Sequence, residues 1–271
     1  MLKVLAVIRL FLVALILLFG TILALIASFI PYKWREAPLA SWVTVGMARS
    51  ILWSLNVQLN VPEKTRLQAH RGIYFPTHDS FLDIVIPIAI GPTRFLAAIE
   101  VKDKPLIGRL AASIGCIWVD RRSKESRQEA RDSMANLEAY PPIVLFPEGM
   151  LDGKPGIAPF RHGAFDIAVR NSLPFIPMVL LYDNFWQVKW KYESMLSPAW
   201  RTAQTWRNGA RIVALDTVYP TPEDDPALLA RSAEKAVIHT IATQGEGAYS
   251  VVNVDDEPEK PSVSWETHED A

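Results

Sequence analysis

The stretch IYFPTHDSFLDIVIPIAI, residues 73–90, places an apolar strand, a polar loop and an apolar helix one after another. Ile73–Phe75 is short and rich in β-branched and aromatic residues, whereas Phe81–Ile90 is long enough for a helix. One histidine and two aspartates interrupt segments that are otherwise apolar enough for a protein core: His78, Asp79 and Asp83. Polar residues at the end of a buried strand indicate a candidate functional loop.

The alternation of short apolar runs and helical periodicity continues from residue 60 onward. The candidate strands are residues 73–75, 95–99, 116–119, 143–146, 175–181 and 211–218. The candidate helices are residues 81–90, 105–114, 126–139, 164–171 and 225–243. Thr221 and Asp224 resemble a capping box at the start of the last helix. This order predicts an α/β domain whose largely parallel or mixed sheet is flanked by helices.

An uncharged apolar stretch, residues 10–30, precedes this domain. A helix of this length spans roughly 31 Å, which is close to the thickness of the hydrocarbon layer of a bilayer. Residues 31–35 (PYKWR) are typical of an interfacial stop rather than of a signal-peptide cleavage site. Residues 1–35 are therefore predicted to be a transmembrane or membrane-inserted anchor. Lys3 and Arg9 precede the span, whereas Lys33, Arg35 and Arg49 follow it, and this excess of positive charge after the span favours a cytoplasmic body.

A second apolar segment lies within residues 36–60. It carries Trp42, Arg49 and Trp53, and it is short for a second span. The segment therefore predicts a helix that either lies along the membrane or is buried against the domain.

The composition bounds the class of protein. With 271 residues, of which 50% are hydrophobic, the chain can bury the core of one domain, so a wholly disordered chain is excluded. The single cysteine, Cys116, cannot form an internal disulfide or a cysteine zinc site. Residues 251–271 contain seven acidic residues and one lysine, and they are predicted to be a disordered acidic tail.

Polar residues follow three of the predicted strands. His78 and Asp83 follow the first, residues 120–122 (DRR) follow a second, and residues 147–149 (PEG) follow a third. Taken singly, each group is also typical of a turn, a helix cap or a surface ion pair. Because the carboxyl ends of parallel strands meet at one edge of a sheet, their combination indicates a functional site.

His78 and Asp83 have the spacing of an oriented base only in one arrangement. Residues five apart in a continuous helix are about 140° apart, so the two side chains meet only if His78 precedes the helix. Residues 77–80 allow this arrangement because Thr77, Asp79 and Ser80 are N-cap residue types. Asp83 would then hold one ring nitrogen, and the other would accept a proton from a hydroxyl group.

The chain lacks the motifs of a serine hydrolase, a phosphate-binding loop and a metal site. The chain contains no G-x-S-x-G pentapeptide, and residues 149–154 (GMLDGK) have neither the spacing nor the Ser or Thr of a phosphate loop. The five histidines show no metal-ligand spacing, so we predict no metal and no other bound cofactor. His70 is a minor alternative base.

Four ordered blocks resemble the motifs of the glycerolipid acyltransferase superfamily, and in particular the bacterial 1-acyl-sn-glycerol-3-phosphate acyltransferase family. The blocks are HDSFLD (78–83), GCIWVDR (115–121), FPEG (146–149) and LPFIP (173–177). APFRHGAF (158–165) also resembles the segment that follows the third block. The resemblance covers residues 72–182.

The resemblance implies a membrane-bound enzyme of phospholipid biosynthesis, with residues 61–250 as the acyltransferase domain. Such an enzyme moves a fatty acyl group from acyl-CoA or acyl-carrier protein to the free hydroxyl of lysophosphatidic acid. The implied partners are the bilayer, the lysolipid and the acyl donor, with no nucleic acid. The expected location is a bacterial inner membrane, with the domain on its cytoplasmic face.

The resemblance also assigns roles to residues. His78 and Asp83 are the implied catalytic pair; Arg121, Glu148 and Gly149 are the implied acceptor head-group site; and Pro174 is implied to shape the acyl pocket. The positive charge of Arg161, which follows the third block, makes this residue a further candidate for binding an anionic head group.

Two departures from the family pattern leave the acceptor open, although His78, Asp83, Arg121 and Glu148 all remain. The third block of that family continues with Thr-Arg-Ser, whereas this chain has Met150, Leu151 and Asp152, and Thr77 stands where the family has Asn. A lysophospholipid with a substituted head group, or a lyso-aminolipid, is therefore a second possible acceptor. A silent lipid-binding scaffold and a hydrolase of lipid esters or thioesters also stay open as functions of the chain.

Residues 185–206 mix tryptophans with lysines and arginines. This composition predicts either a membrane-facing rim or core tryptophans.

Overall fold

The computed structural model describes residues 2–104, 106–120, 122–135, 140–149, 157–191, 194 and 196–245. Its first elements are α1 (Leu2–Ser28), β1 (Lys33–Trp34), β2 (Ala37–Pro38) and α2 (Leu39–Ser54). The elements that follow are β3 (Val57–Asn60), α3 (Lys64–Ala69), β4 (Ile73–Pro76), α4 (Leu82–Ile90), β5 (Arg94–Ala98), α5 (Ile99–Lys102), α6 (Ile107–Ser113), β6 (Ile117–Val119), α7 (Lys124–Ala135), β7 (Ile143–Val144), α8 (His162–Arg170), β8 (Phe175–Tyr182), α9 (Phe185–Val188), α10 (Leu196–Gln204), β9 (Asn208–Ala214) and α11 (Pro226–Gln244).

A seven-stranded mixed sheet forms the centre of the domain. Its strand order is β3-β9-β8-β4-β7-β5-β6. The strands β8 and β9 pair antiparallel, and the other neighbouring strands pair parallel. The predicted α/β fold with a largely parallel or mixed sheet is therefore confirmed.

The core lies around the two central strands. Every residue of β4 and of β8 is buried, as expected for strands that are covered on both faces. The ring of Phe75 lies 4.6 Å from that of Phe165 and 5.2 Å from that of Phe175, between ring centroids. Burial of each such aromatic side chain stabilises the folded state by about 1.5–3 kcal/mol. This packing holds the end of β4 rigidly where the polar loop begins.

The N-terminal helices contact the domain. In α1 an apolar window long enough to cross a membrane is only 17% buried, and its exposed side chains are large and apolar. The guanidinium of Arg9 nevertheless donates to three carbonyls at and just beyond the end of α10, those of Ala203 (3.0 Å), Thr205 (2.6 Å) and Trp206 (3.1 Å). In the segment that connects α1 to α2, Glu36 forms an ion pair with Arg71 at 2.9 Å. Both α1 and this connecting segment are thus joined to the body.

The second apolar segment forms α2, which contacts both α1 and α4. Most of its side chains are buried, although Trp53 is 77% exposed. The Arg49 guanidinium donates to the carbonyl of Ala89 at 2.9 Å. This position supports a helix packed on the domain.

Several predicted boundaries differ from the structure. The strand predicted at 143–146 is only β7, and the strand predicted at 211–218 begins and ends earlier, as β9. Thr221 and Asp224 do bond to each other, but they form a turn ahead of the helix, since Asp225 is the N-cap of α11 and accepts from Ala227 N–H. The strand β3 was not predicted, because its four residues directly follow the apolar run of α2 and two of them are polar. The predicted tail, residues 251–271, lies outside the described residues.

Candidate active site

One edge of the sheet collects the polar residues that follow β4, β7 and β8. These three strands are neighbours and run parallel, so their carboxyl ends lie side by side. His78 follows β4, Glu148 follows β7, and Tyr182 ends β8. The strand β6 ends at the same edge, but β7 and β5 separate it from β4, a distance of about 14 Å. Arg121, which follows β6, lies outside the described residues.

His78 and Asp83 meet as the sequence predicted. His78 lies in the loop before α4, and its Nδ1 is 3.2 Å from Oδ2 of Asp83. The imidazole is also stacked on the ring of Phe146, with 3.8 Å between centroids and 15° between planes. With the proton on Nδ1, the ring donates to Asp83 and leaves the lone pair of Nε2 for a substrate.

Asp83 is fully buried and satisfied by several donors. Its Oδ2 accepts the backbone N–H groups of Asp79 and Ser80, each at 2.6 Å. Its Oδ1 accepts the hydroxyl of Tyr182. A buried carboxylate held by this many donors is fixed in place, so it orients the imidazole rather than moving with it.

Thr77 ties the same loop to the neighbouring strand. Its backbone N–H donates to the carbonyl of Met178, and its hydroxyl accepts from Leu180 N–H, both at 3.0 Å. Thr77, which stands where the resembling family has asparagine, therefore connects the loop that carries His78 to β8.

Glu148 joins the histidine loop to the next segment. Its Oε1 accepts the backbone N–H of His78 at 2.8 Å, and its Oε2 accepts that of Ala158 at 3.2 Å. Burial raises the pKa of the Glu148 carboxyl well above its ordinary value, and the nearby charge of Asp79 raises it further. Glu148 thus connects the loop that carries His78 to the segment that begins at Ile157.

Gly149 and Arg161 are in direct contact. Gly149 has φ +84°, a conformation that L-residues rarely adopt. A Cβ at this position would lie 2.6 Å from Nε of Arg161, so only glycine leaves room for the arginine side chain. The backbone N–H of Arg161 donates to the carbonyl of Pro147 at 2.9 Å. The exposed side chain of Arg161 therefore occupies the space next to Gly149, the residue that follows Glu148.

A buried ion pair lies on the other side of the histidine loop. Nζ of Lys189 is 2.5 Å from Oδ1 of Asp79 and 4.9 Å from the ring centroid of Phe185. The backbone N–H of Trp190 donates to the carbonyl of Asp79 at 2.9 Å. Its segment, residues 185–206, was expected to form either a membrane-facing rim or a part of the core, and Lys189, of which only 2% is exposed, does not belong to an exposed rim. Of the tryptophans in that segment, Trp186 and Trp206 are exposed.

Pro174 is not part of this group. Its carbonyl accepts Ile73 N–H at 2.9 Å, which places it at the amino end of β8. The carboxyl end of β4 at Pro76, which pairs with Met178, lies about 13 Å from Pro174 along β8. The implied role of Pro174 in an acyl pocket therefore gains no support from its position.

The sequence did not indicate Tyr182 or Lys189 as site residues. A usable signal existed for Tyr182, because it ends a buried strand at the same edge as His78. Lys189 had no such signal, because it contacts the loop that carries His78 only after the chain has folded back beyond β8. Among the described residues, no group of three or more His, Cys, Asp or Glu side chains could hold a metal ion.

Comparisons with known proteins bear on this arrangement. Residues 58–181 match the family model described as Acyltransferase. The chain is 28% identical over 206 residues to the lysophospholipid acyltransferase LPEAT1 of Arabidopsis thaliana, covering 68% of this chain and 47% of that protein. It is 23% identical over 139 residues to the 1-acyl-sn-glycerol-3-phosphate acyltransferase of Neisseria meningitidis, covering 51% and 54% respectively. The chain thus spans about half the length of these two relatives.

A solved structure shares the fold. The crystal structure of the 1-acyl-sn-glycerophosphate acyltransferase PlsC of Thermotoga maritima matches with a TM-score of 0.66 at 18% identity. The match covers 88% of this chain and 95% of that one. The mixed sheet and its flanking helices are therefore arranged as in that protein.

Proposed function

We propose that this chain, of which residues 58–181 match the family model described as Acyltransferase, moves a fatty acyl group from a thioester donor to the free hydroxyl of a lysophospholipid. The observation that carries this proposal is the oriented pair at the carboxyl edge of the sheet, where Asp83 holds Nδ1 of His78. A histidine oriented in this way is suited to act as a general base on a hydroxyl group.

The proposed reaction needs no covalent intermediate on the protein, because a thioester is already activated. Nε2 of His78 removes the proton of the lysolipid hydroxyl while its oxygen attacks the thioester carbonyl. The new C–O bond forms, the C–S bond breaks, and the imidazolium returns its proton to the leaving thiolate. Acyl-CoA or acyl-carrier protein supplies the thioester as a co-substrate. The buried carboxylate of Asp83 stabilises the transient imidazolium charge.

The exposed apolar face of α1 supports attachment to a membrane, where a lysolipid acceptor resides. A helix with such a face lowers its free energy by burying it in lipid. We propose the cytoplasmic face of a membrane as the location, since three basic residues follow the span of residues 10–30 and two precede it. The bacterial inner membrane stays an expectation.

Lysophosphatidic acid is the acceptor that we propose first. Arg161 lies beside Glu148 and Gly149 in the site, and a guanidinium can bind a phosphomonoester through two parallel hydrogen bonds. The named reaction of the Neisseria meningitidis relative uses this acceptor. Glu148 would contribute by holding the two loops that carry His78 and Arg161.

A lysophospholipid with a substituted head group is the second candidate. Leu151 stands where the resembling family has an arginine, so one cation for the phosphate is missing from the third block. The Arabidopsis thaliana relative is named as a lysophospholipid acyltransferase. A head group that carries a positive charge of its own would need fewer protein cations.

The test is acyl transfer by the detergent-purified full chain. The acceptors are lysophosphatidic acid, lysophosphatidylcholine and lysophosphatidylethanolamine, each offered with acyl-CoA and, separately, with acyl-carrier protein. We expect a diacyl product by mass spectrometry, with the highest kcat/KM for lysophosphatidic acid. A preference for another acceptor would favour the second candidate. Release of free acid without acceptor would indicate a hydrolase, and no reaction with any pair would favour a silent scaffold.

A further inference from the structure

Lys189 is a buried cation next to the histidine loop that the proposed chemistry does not use. It directly follows α9, and its side chain is 3% exposed while that of Asp79 is 11% exposed. Burying a charged pair in a protein costs several kcal/mol of desolvation for each ion. Such a pair is therefore weak evidence for a stabilising role and calls for another explanation.

The contacts of Lys189 converge on the loop that carries His78. Its Nζ is 2.5 Å from Oδ1 of Asp79, and the backbone at Lys189 forms an antiparallel bridge with Ser80. Behind the lysine, the Arg201 guanidinium donates to the Lys189 carbonyl at 2.7 Å. The lysine is thus held from α10 while it binds the loop.

Asp79 is held through both its backbone and its side chain. Its backbone N–H donates to Asp83, the residue that orients His78, and its side chain binds Lys189. Rotation of the Asp79 peptide would change the direction of the adjoining His78 and would lengthen the contact between Nδ1 and Asp83. Glu148 and Asp83 hold the backbone of this loop, whereas the ion pair with Lys189 holds the side chain of Asp79.

We propose that Lys189 is a positioning residue for His78, acting through Asp79 to hold the catalytic loop in its productive geometry. The inference rests on the proposed function, because it assigns Lys189 to the same reaction. A base displaced by about 1 Å loses much of its rate advantage while substrate binding changes little. The effect of losing Lys189 therefore falls on kcat and not on KM.

The experiment compares Lys189→Met with Lys191→Met in the full-length protein. Lys191 is exposed and lies 5.7 Å from the ring centroid of Trp186, so it offers the same substitution two residues away without the ion pair. We expect Lys189→Met to lower kcat at least about tenfold with KM for the acceptor within about threefold, and Lys191→Met to match the wild type. Lys189→Arg, which keeps the charge, is expected to recover part of kcat.

A double variant, Lys189→Met with Asp79→Leu, removes the pair without leaving an unpaired buried charge. We expect it to fold with the melting temperature of the wild type and to keep the loss of kcat, so that the two substitutions are not additive. A double variant with wild-type kcat, or an equal change of KM, would overturn the proposal. Loss of the folded state would also overturn it, because the pair would then serve stability.

A second measurement does not depend on turnover. Hydrogen exchange of the peptide that covers residues 77–81 is expected to be faster in Lys189→Met and unchanged in Lys191→Met. Unchanged exchange in both would overturn the inference even if the enzyme were active. A wild-type protein without transfer activity would instead refute the proposed function, while the exchange result would still decide whether Lys189 holds the loop.

Discussion

Replacing Gly149 by alanine tests the contact between the third block and Arg161. The new Cβ would lie 2.6 Å from Nε and 2.8 Å from Cζ of Arg161, and the backbone would keep a φ of +84°. A left-handed L-residue costs about 1–2 kcal/mol, which for a domain of this size lowers the melting temperature by roughly 2–8 °C. The arginine side chain must move to relieve the contact, so we expect KM for lysophosphatidic acid to rise and kcat to change less.

The matched control is Gly163→Ala in α8, where an added Cβ meets no atom within 4 Å. Alanine within a helix is favoured over glycine by roughly 0.5–1 kcal/mol, so this variant is expected to be as stable as the wild type or more so. Thermal unfolding in detergent and initial rates at varied acceptor concentration measure both effects. If Gly149→Ala kept the wild-type melting temperature and KM, the space reserved for Arg161 would have no role.

Three further predictions concern other contacts. Asp83→Asn leaves the loop N–H groups and the imidazole with one acceptor oxygen fewer, so kcat is expected to fall at least about 100-fold in steady-state assays; a fall below about threefold would contradict the orienting role. Arg9→Met leaves the carbonyls at the end of α10 without their buried donor, so the melting temperature is expected to drop by several degrees, and an unchanged value would show that α1 is not held there. Burial lowers the pKa of His70 to about 4, so the stability contributed by its neutral form is complete above pH about 6.5 and is lost as the pH falls toward 4. His70→Asn is expected to show a shallower loss of stability across that window in denaturant titrations, and a parallel loss would contradict this.

The sequence predicted the half of the site that depends on local order. His78 and Asp83 lie within one strand, loop and helix unit, so their spacing alone limited how they meet. Glu148 was predicted because parallel strands bring their carboxyl ends to one edge, a rule that needs no knowledge of side chains. The mixed sheet followed from the same alternation of strands and helices.

The other half depends on how distant segments return to the loop. Tyr182 and Lys189 contact Asp83 and Asp79 across about a hundred residues of chain, and no local pattern encodes such a contact. The block that contains Pro174 belongs to the correct strand, but Pro174 precedes that strand at the opposite edge of the sheet. Arg9 has the sequence position of a charge ahead of a span, whereas it is buried against carbonyls that only the folded chain supplies.

The most direct test of the account is acyl transfer by wild-type protein and His78→Ala at equal concentration, with acyl-CoA and lysophosphatidic acid in mixed micelles. The substitution removes the imidazole and leaves the backbone of the loop in place, and the melting temperature serves as the control for folding. The account predicts diacyl product from the wild type and a loss of turnover of at least about 100-fold in a folded His78→Ala. Wild-type turnover in a folded His78→Ala would contradict the assignment of His78 as the base.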